Sequence, residues 1–97
     1  MFVPNPKAVK RAFVFSIAGT RGGPVRLDVL KIIAKEKMNI SQISIKMGMD
    51  YKTIQHHMRV LDKSGFVKKE MSKNESIYSV SDLIRSNNEI MEIIRRK

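Results

Sequence analysis

Lys52, Gln55, His56, Arg59 and Lys63 recur at the spacing of one helical face, and all five carry long polar or cationic groups. Such a face suits the major groove of duplex DNA, where Gln pairs bidentately with adenine and Arg with guanine. Tyr51, Lys52 and Thr53 fall in the first turn of the same segment, where phosphates would lie. Lys68, Lys69, Lys73 and Asn74 follow on a basic stretch suited to the DNA backbone or the adjacent minor groove. Contacts of the second kind position a protein on DNA, and those of the first kind specify the sequence. A basic amphipathic helix is also what an ordinary solvated surface looks like, so the weight rests on the order of the neighbouring elements.

Other chemistries find few residues. The chain has no cysteine, which removes disulfides, thiolate metal sites and thiol catalysis. His56 and His57 are adjacent, and neighbours on a helix point about 100° apart, so the pair does not readily share an ion. No further ligands are spaced to join them, and no metal or other cofactor is expected. His57 is expected at the core edge and His56 outside. Gly22-Gly23 lacks the spacing of a phosphate-binding loop and reads as a turn. No acid–base or nucleophile set stands out, so an enzyme is not expected.

The elements that would position the basic face follow from caps and breakers. Asn5-Pro6 starts a helix over about 6–18, although Phe13-Val14-Phe15 would equally suit a strand. Pro24 opens a second helix with Leu30, Ile33 and Ala34 toward the core. Met38-Asn39-Ile40 reads as an extended link. Ser41 is expected to cap a short helix holding Ile43, Ile45 and Met47, which Gly48 ends. Asp50 caps the helix 51–63, in which Ile54, Met58 and Leu61 anchor to the core. Phe66–Ser72 and Ile77–Ser81 read as a hairpin with Lys73-Asn74-Glu75-Ser76 at its tip. Ser81 and Asp82 begin a last helix with a stripe of Leu83, Ile84, Ile90, Met91 and Ile94, and Ser86-Asn87-Asn88-Glu89 spells a capping box where it would break or restart. Arg95-Arg96-Lys97 suits the negative end of that helix. Met38, Met47, Met49, Met58, Met71 and Met91 are read chiefly as core filling.

Helix, short helix, turn, capped basic helix and hairpin is the order of a winged helix-turn-helix. The expected fold is mainly α with a small β-hairpin wing: one domain over 1–97, with its core at about 20–81 and extra terminal helices at about 6–18 and 82–96. Two runs carry a family likeness, Gly19-Thr20-Arg21-Gly22-Gly23-Pro24-Val25-Arg26 and Asp50-Tyr51-Lys52-Thr53-Ile54-Gln55-His56-His57-Met58. With the continuation Arg59 to Val67, the chain resembles the archaeal branch of the ArsR-type winged-helix regulators over roughly 19–82. The resemblance implies a dimeric DNA-binding repressor or activator, with Tyr51, Lys52, Thr53, Gln55, His56, Arg59 and the wing on DNA. The cysteine-rich metal sites of the wider family have no counterpart here.

Bulk composition agrees with a polyanionic partner. The 97 residues carry 19 Lys and Arg against 9 Asp and Glu, a formal net charge of +10. No apolar run approaches the roughly 20 residues of a membrane-spanning helix and no signal-peptide layout is read, so a cytoplasmic protein without a membrane partner is the expectation. The terminal helices are more apolar than a minimal winged domain needs. They suit either a homodimer that packs first and last helices together or completion of a monomer core. Two readings stand beside sequence-specific regulation: a non-specific architectural DNA-binding protein, and a winged helix that docks a protein partner.

Overall fold

Short polar side chains open five of the helices among the described residues. The computed structural model describes residues 5–96; Met1–Pro4 and Lys97, and the expectations that fell on them, lie outside. The order is α1 (Pro6–Ala18), α2 (Gly23–Lys35), α3 (Ile40–Met47), α4 (Tyr51–Lys63), β1 (Val67–Ser72), β2 (Glu75–Val80), α5 (Asp82–Arg85) and α6 (Asn88–Arg95). Asn5, Asn39, Asp50, Ser81 and Asn87 accept from the first free backbone N–H groups of α1, α3, α4, α5 and α6. This is the winged helix-turn-helix fold, with six helices and one antiparallel hairpin among the described residues.

Several local expectations need correction. Asn39, not Ser41, caps α3, because its side chain takes the Gln42 N–H while Gln42 returns a bond to the Asn39 N–H. That reciprocal box outcompetes a lone serine, and Ser41 lies within the helix. Ile40 is therefore helical rather than part of the link, and Met38 alone bridges to Tyr78 of β2. Helix α2 starts at Gly23, one residue before Pro24. A Cβ at Gly23 would stand 1.6 Å from the Ile17 carbonyl oxygen, so α1 and α2 meet where only glycine fits.

The hairpin tip is tighter than the four residues expected. Lys73 and Asn74 alone turn the chain, both at positive φ (50° and 66°), and Glu75 and Ser76 already belong to β2. Such a two-residue turn matches the twist of the strands it joins. Asn87, rather than Ser86, restarts the last helix. The Phe13-Val14-Phe15 run is helical: Phe13 is fully buried, its ring 5.4 Å from Phe66, while Val14 and Phe15 face outward.

One core joins all of these elements. Val29, Leu30 and Ile33 of α2 are buried with Ile43 of α3, Ile54, Met58 and Leu61 of α4, and Ile84, Ile90 and Ile94 from the C-terminal helices. Ala34 is only half-buried. Ile45 is 83% exposed, and Met71, expected as core filling, is 69% exposed and lies outside the core. Ile45 lies two residues from buried Ile43 on an eight-residue helix, a step of about 200° that turns it to the other side. Met71 stands near the wing tip, beyond the reach of the core.

Candidate nucleic-acid interface

Helix α4 owes its position to its apolar side. Ile54, Met58 and Leu61 are 0–1% exposed, which fixes the helix rotation and leaves Lys52, His56, Arg59 and Lys63 in solvent and Gln55 half-buried. Its start is held by Asp50, whose Oδ2 accepts from the Thr53 N–H at 3.1 Å, while Thr53 Oγ1 donates to Asp50 Oδ1 at 2.6 Å. These bonds, the side-chain one foremost, hold the Asp50 carboxyl below its ordinary pKa. The hydroxyl proton of Thr53 is thereby committed to the cap, and Thr53 has no second proton to donate to a phosphate in this arrangement.

His57 is buried, as expected for the core edge, and its Nδ1 lies 3.2 Å from a guanidinium nitrogen of Arg26 on α2. Arg26 also donates to Thr20 Oγ1 at 2.7 Å. Burial, then the charges of Arg26 and His56, push the His57 pKa below its ordinary 6.5. A Cβ at Gly22 would meet both Arg26 and His57 within 2.8 Å, so a bare backbone covers this pair. His56 and His57 have ring centroids 5.7 Å apart, and the described residues contain no His, Cys, Asp and Glu group able to hold a metal ion.

Between α4 and the wing lies a groove of about 430 Å³, lined by Tyr51, Gln55 and Arg59 on one side and by Lys69, Asn74, Glu75 and Tyr78 on the other. Its floor reaches Asn39, Ile40 and Ser41 at the start of α3. The structure thus brings together Tyr51, Gln55, Arg59, Lys69 and Asn74. It sets Lys63 at the far end of α4 and Lys68 on the opposite face of β1 from Lys69. Lys68 pairs with Glu70 at 3.3 Å, and Lys69 approaches Asp62 at 4.0 Å. Lys73 has no carboxylate within 4.0 Å among the described residues and stands at the wing tip.

Asn39, Asp62, Glu75 and Tyr78 are among the groove residues not singled out as site candidates from sequence. Asn39 Nδ2 donates to Glu75 Oε2 at 2.9 Å, tying the wing to the cap of α3. The Asn39-x-x-Gln42 box was the available signal for the first of them. Tyr78 is buried, and its register opposite Lys69 gave no sign of its place before the strands were paired. Burial, with Asp62 and Tyr51 adding to it, raises the Tyr78 pKa against the opposing charge of Arg59.

Residues 23–69, from the first turn of α2 into β1, match the family described as bacterial regulatory protein, arsR family. The matched segment spans α2, α3, α4 and the start of β1, and is similar to the helix-turn-helix of that family. Comparison with curated protein sequences finds no match. Among solved structures, the chain is similar to HlyU from Vibrio cholerae, with a TM-score of 0.70 and 14% identity over 95% of this chain and 90% of that one. It is also similar to a homodimeric winged helix-turn-helix DNA-binding domain from Mycobacterium bovis, a possible ArsR-family regulator. There the TM-score is 0.67 and the identity 18%, over 96% of this chain and 88% of that one. A probable transcriptional regulator from Pseudomonas aeruginosa gives a TM-score of 0.66 and 20% identity, over 92% and 72% of the two chains. The matched helices thus sit within a winged helix-turn-helix fold. No helix of the described residues is long and apolar enough to cross a membrane.

Proposed function

We propose that the protein is a sequence-specific, double-stranded-DNA-binding transcription regulator that acts as a homodimer. The observation that carries this reading is the outward face of α4, its rotation set by the core, standing beside a groove whose other wall is a wing with Lys73 at its tip. Gln55 and Arg59 read base edges in the major groove. Tyr51, Lys52, His56 and Lys63 take phosphates along the same helix. Lys68, Lys69, Lys73 and Asn74 hold the backbone beside it, Lys69 by exchanging its loose contact with Asp62 for a phosphate. Thr53 contributes by capping α4 and so aiming its first turn.

The dimer reading is narrower than the sequence suggested. The α6 stripe of Ile90, Met91 and Ile94 is at most 3% exposed within its own chain, so this helix completes the monomer core. What remains for a second copy is α1, where Phe15 is 72% and Val14 40% exposed. The Mycobacterium bovis neighbour is a homodimer, which supports a two-fold arrangement that presents two α4 helices to half-sites about 34 Å apart. Family and fold point to a regulator rather than a catalyst.

Selection of bound duplexes from a random pool at near-physiological salt tests the reading. Enrichment of a two-fold symmetric motif is expected. Retention without any enriched motif would replace sequence reading by architectural binding, for which the net charge of +10 is the favouring observation. Loss of all retention would remove DNA as the partner.

A further inference from the structure

The wing carries an apolar side chain that the core does not use. Strand alternation divides the hairpin into two faces. One face is formed by the opposed pairs Val67–Val80, Lys69–Tyr78 and Met71–Ser76, in order from the core toward the tip. Val67 and Val80 are buried, while Lys69, Tyr78 and Ser76 line the groove beside α4. Met71 continues that face about 7 Å beyond Lys69, the rise of two residues in an extended strand. It is 69% exposed, and Ser76 Oγ, directly across the hairpin, donates to its sulfur at 3.6 Å. Glu70, its neighbour in β1, falls on the opposite face and meets Lys68 at 3.3 Å. Lys73 at the tip has no carboxylate within 4.0 Å among the described residues. Met71 is thus an unbranched apolar chain set between two cations, on the side of the wing that faces the groove.

We propose that Met71 enters the minor groove flanking the bases read by α4 and selects A·T over G·C pairs there, by excluding the guanine amino group. The inference rests on the DNA-binding reading above and adds a specificity-determining residue to it. The cations on either side name a polyanion as the occupant, and the face shared with the α4 groove makes it the same duplex. The minor groove of B-DNA is only about 6 Å wide, a width suited to one slender, unbranched thioether chain. Every base pair presents acceptors on the floor of that groove, and G·C alone adds a donor, the N2 amino. A thioether is a weak acceptor, so beneath Met71 that amino would lose water without gaining a partner. The acceptors common to both kinds of pair cancel in the comparison, which leaves the amino to decide. Gln55 and Arg59 address the major groove, where this amino is not displayed, so the two signals are separable.

The test uses the full chain, the duplex selected from the random pool, and bases that alter the minor groove by one group. Inosine is guanosine without its N2 amino, and 2,6-diaminopurine is adenine with one. Each pair flanking the bases read by α4 is set in turn to A·T, G·C, inosine·C and diaminopurine·T. At one position in each half-site, G·C and diaminopurine·T should bind about tenfold more weakly than A·T, and inosine·C should bind as A·T does. Met71→Gln keeps the length of the chain and supplies a carbonyl acceptor, so it should bring the four duplexes to within about twofold of one another. Met71→Ala should lose the discrimination likewise. Both variants change an exposed side chain and should keep the thermal midpoint. Lys73→Ala should weaken all four duplexes and keep their ratios. Equal affinities for the four at every flanking position would overturn the inference and leave the DNA-binding reading standing. A preference that survives both Met71 variants but falls in Lys73→Ala would overturn it as well, moving the selection to a cation in the narrow groove of A·T tracts. A loss shared by G·C and inosine·C would place the selection in the major groove. Failure to retain any duplex would remove this inference together with the reading beneath it.

Discussion

Arg26 and His57 meet within the core edge, and the bond between them has a consequence for pH. A guanidinium stays charged and can only donate, so Nδ1 of His57 must be unprotonated to accept, which leaves the imidazole neutral with its proton on Nε2. The folded chain therefore resists protonation that the unfolded chain accepts near the ordinary 6.5. The folded pKa being depressed, this contribution to stability is fully present above 6.5 and is lost as pH falls toward the folded value. Urea midpoints should drop between about pH 7.5 and about pH 5, and His57→Gln should flatten that drop. An unchanged drop would assign the acid sensitivity elsewhere. On the outer face, Arg59→Ala and Gln55→Ala should each cost about 1–3 kcal/mol on the preferred duplex and relax its sequence preference. Lys73→Ala should weaken all duplexes alike and reduce the salt slope by about one, as read by anisotropy titrations over a salt series. Identical behaviour of the three variants would sink the division between reader and wing. Helical spacing made the outward residues legible. The burial of Arg26 was not, since a lone arginine in an amphipathic helix reads as surface until its partner arrives from 31 residues away.

At the scale of elements, α3 shows how much one cap does. Asn39 closes the reciprocal box with Gln42 and also holds Glu75 of the wing. Asn39→Ala should lower stability by about 1 kcal/mol through the cap alone. For a domain of this size that corresponds to a fall of roughly 4–8 °C in thermal midpoint. Glu75→Gln should leave the midpoint nearly unchanged, because an exposed hydrogen bond contributes little, so equal losses in both variants would refute the assignment to the cap. The caps Asp50, Ser81 and Asn5 were legible because short polar side chains satisfy local N–H groups, a purely local physics. The helix α1 was legible from Asn5-Pro6, but a strand stayed open for part of it. Phe13-Val14-Phe15 is β-prone by composition, and the helix prevails because α1 can then bury Phe13 against Phe66 and place Asn87 within 3.0 Å of the Pro6 carbonyl.

At the scale of the molecule, the terminal helices differ in the apolar surface they leave exposed. Helix α6 is sealed into its own chain, and Lys10 of α1 meets Glu89 of α6 at 2.6 Å, an exposed pair worth little by itself. Phe13→Ala should cost about 3–5 kcal/mol, because it empties a fully buried site. Phe15→Glu changes a residue that is 72% exposed, and it should leave the monomer folded while shifting sedimentation toward one chain. Affinity for a two-half-site duplex should fall with it, and a variant that stayed dimeric would place the interface away from α1.

The sequence by itself determined the order of the elements, the starts of α1, α4 and α5, and the outward face of α4. These depend on hydrogen bonds and side-chain periods within a few residues of one another. Tertiary structure alone decided which apolar stripes were already satisfied within one chain, that Ile45 and Met71 stand outside the core, and that Arg26 lies beneath Gly22. It also decided that Asn39, Asp62, Glu75 and Tyr78 share a groove with the basic helix. Each of these depends on contacts between residues far apart in the chain, which the packing of α2 against α4, the wing and α6 creates.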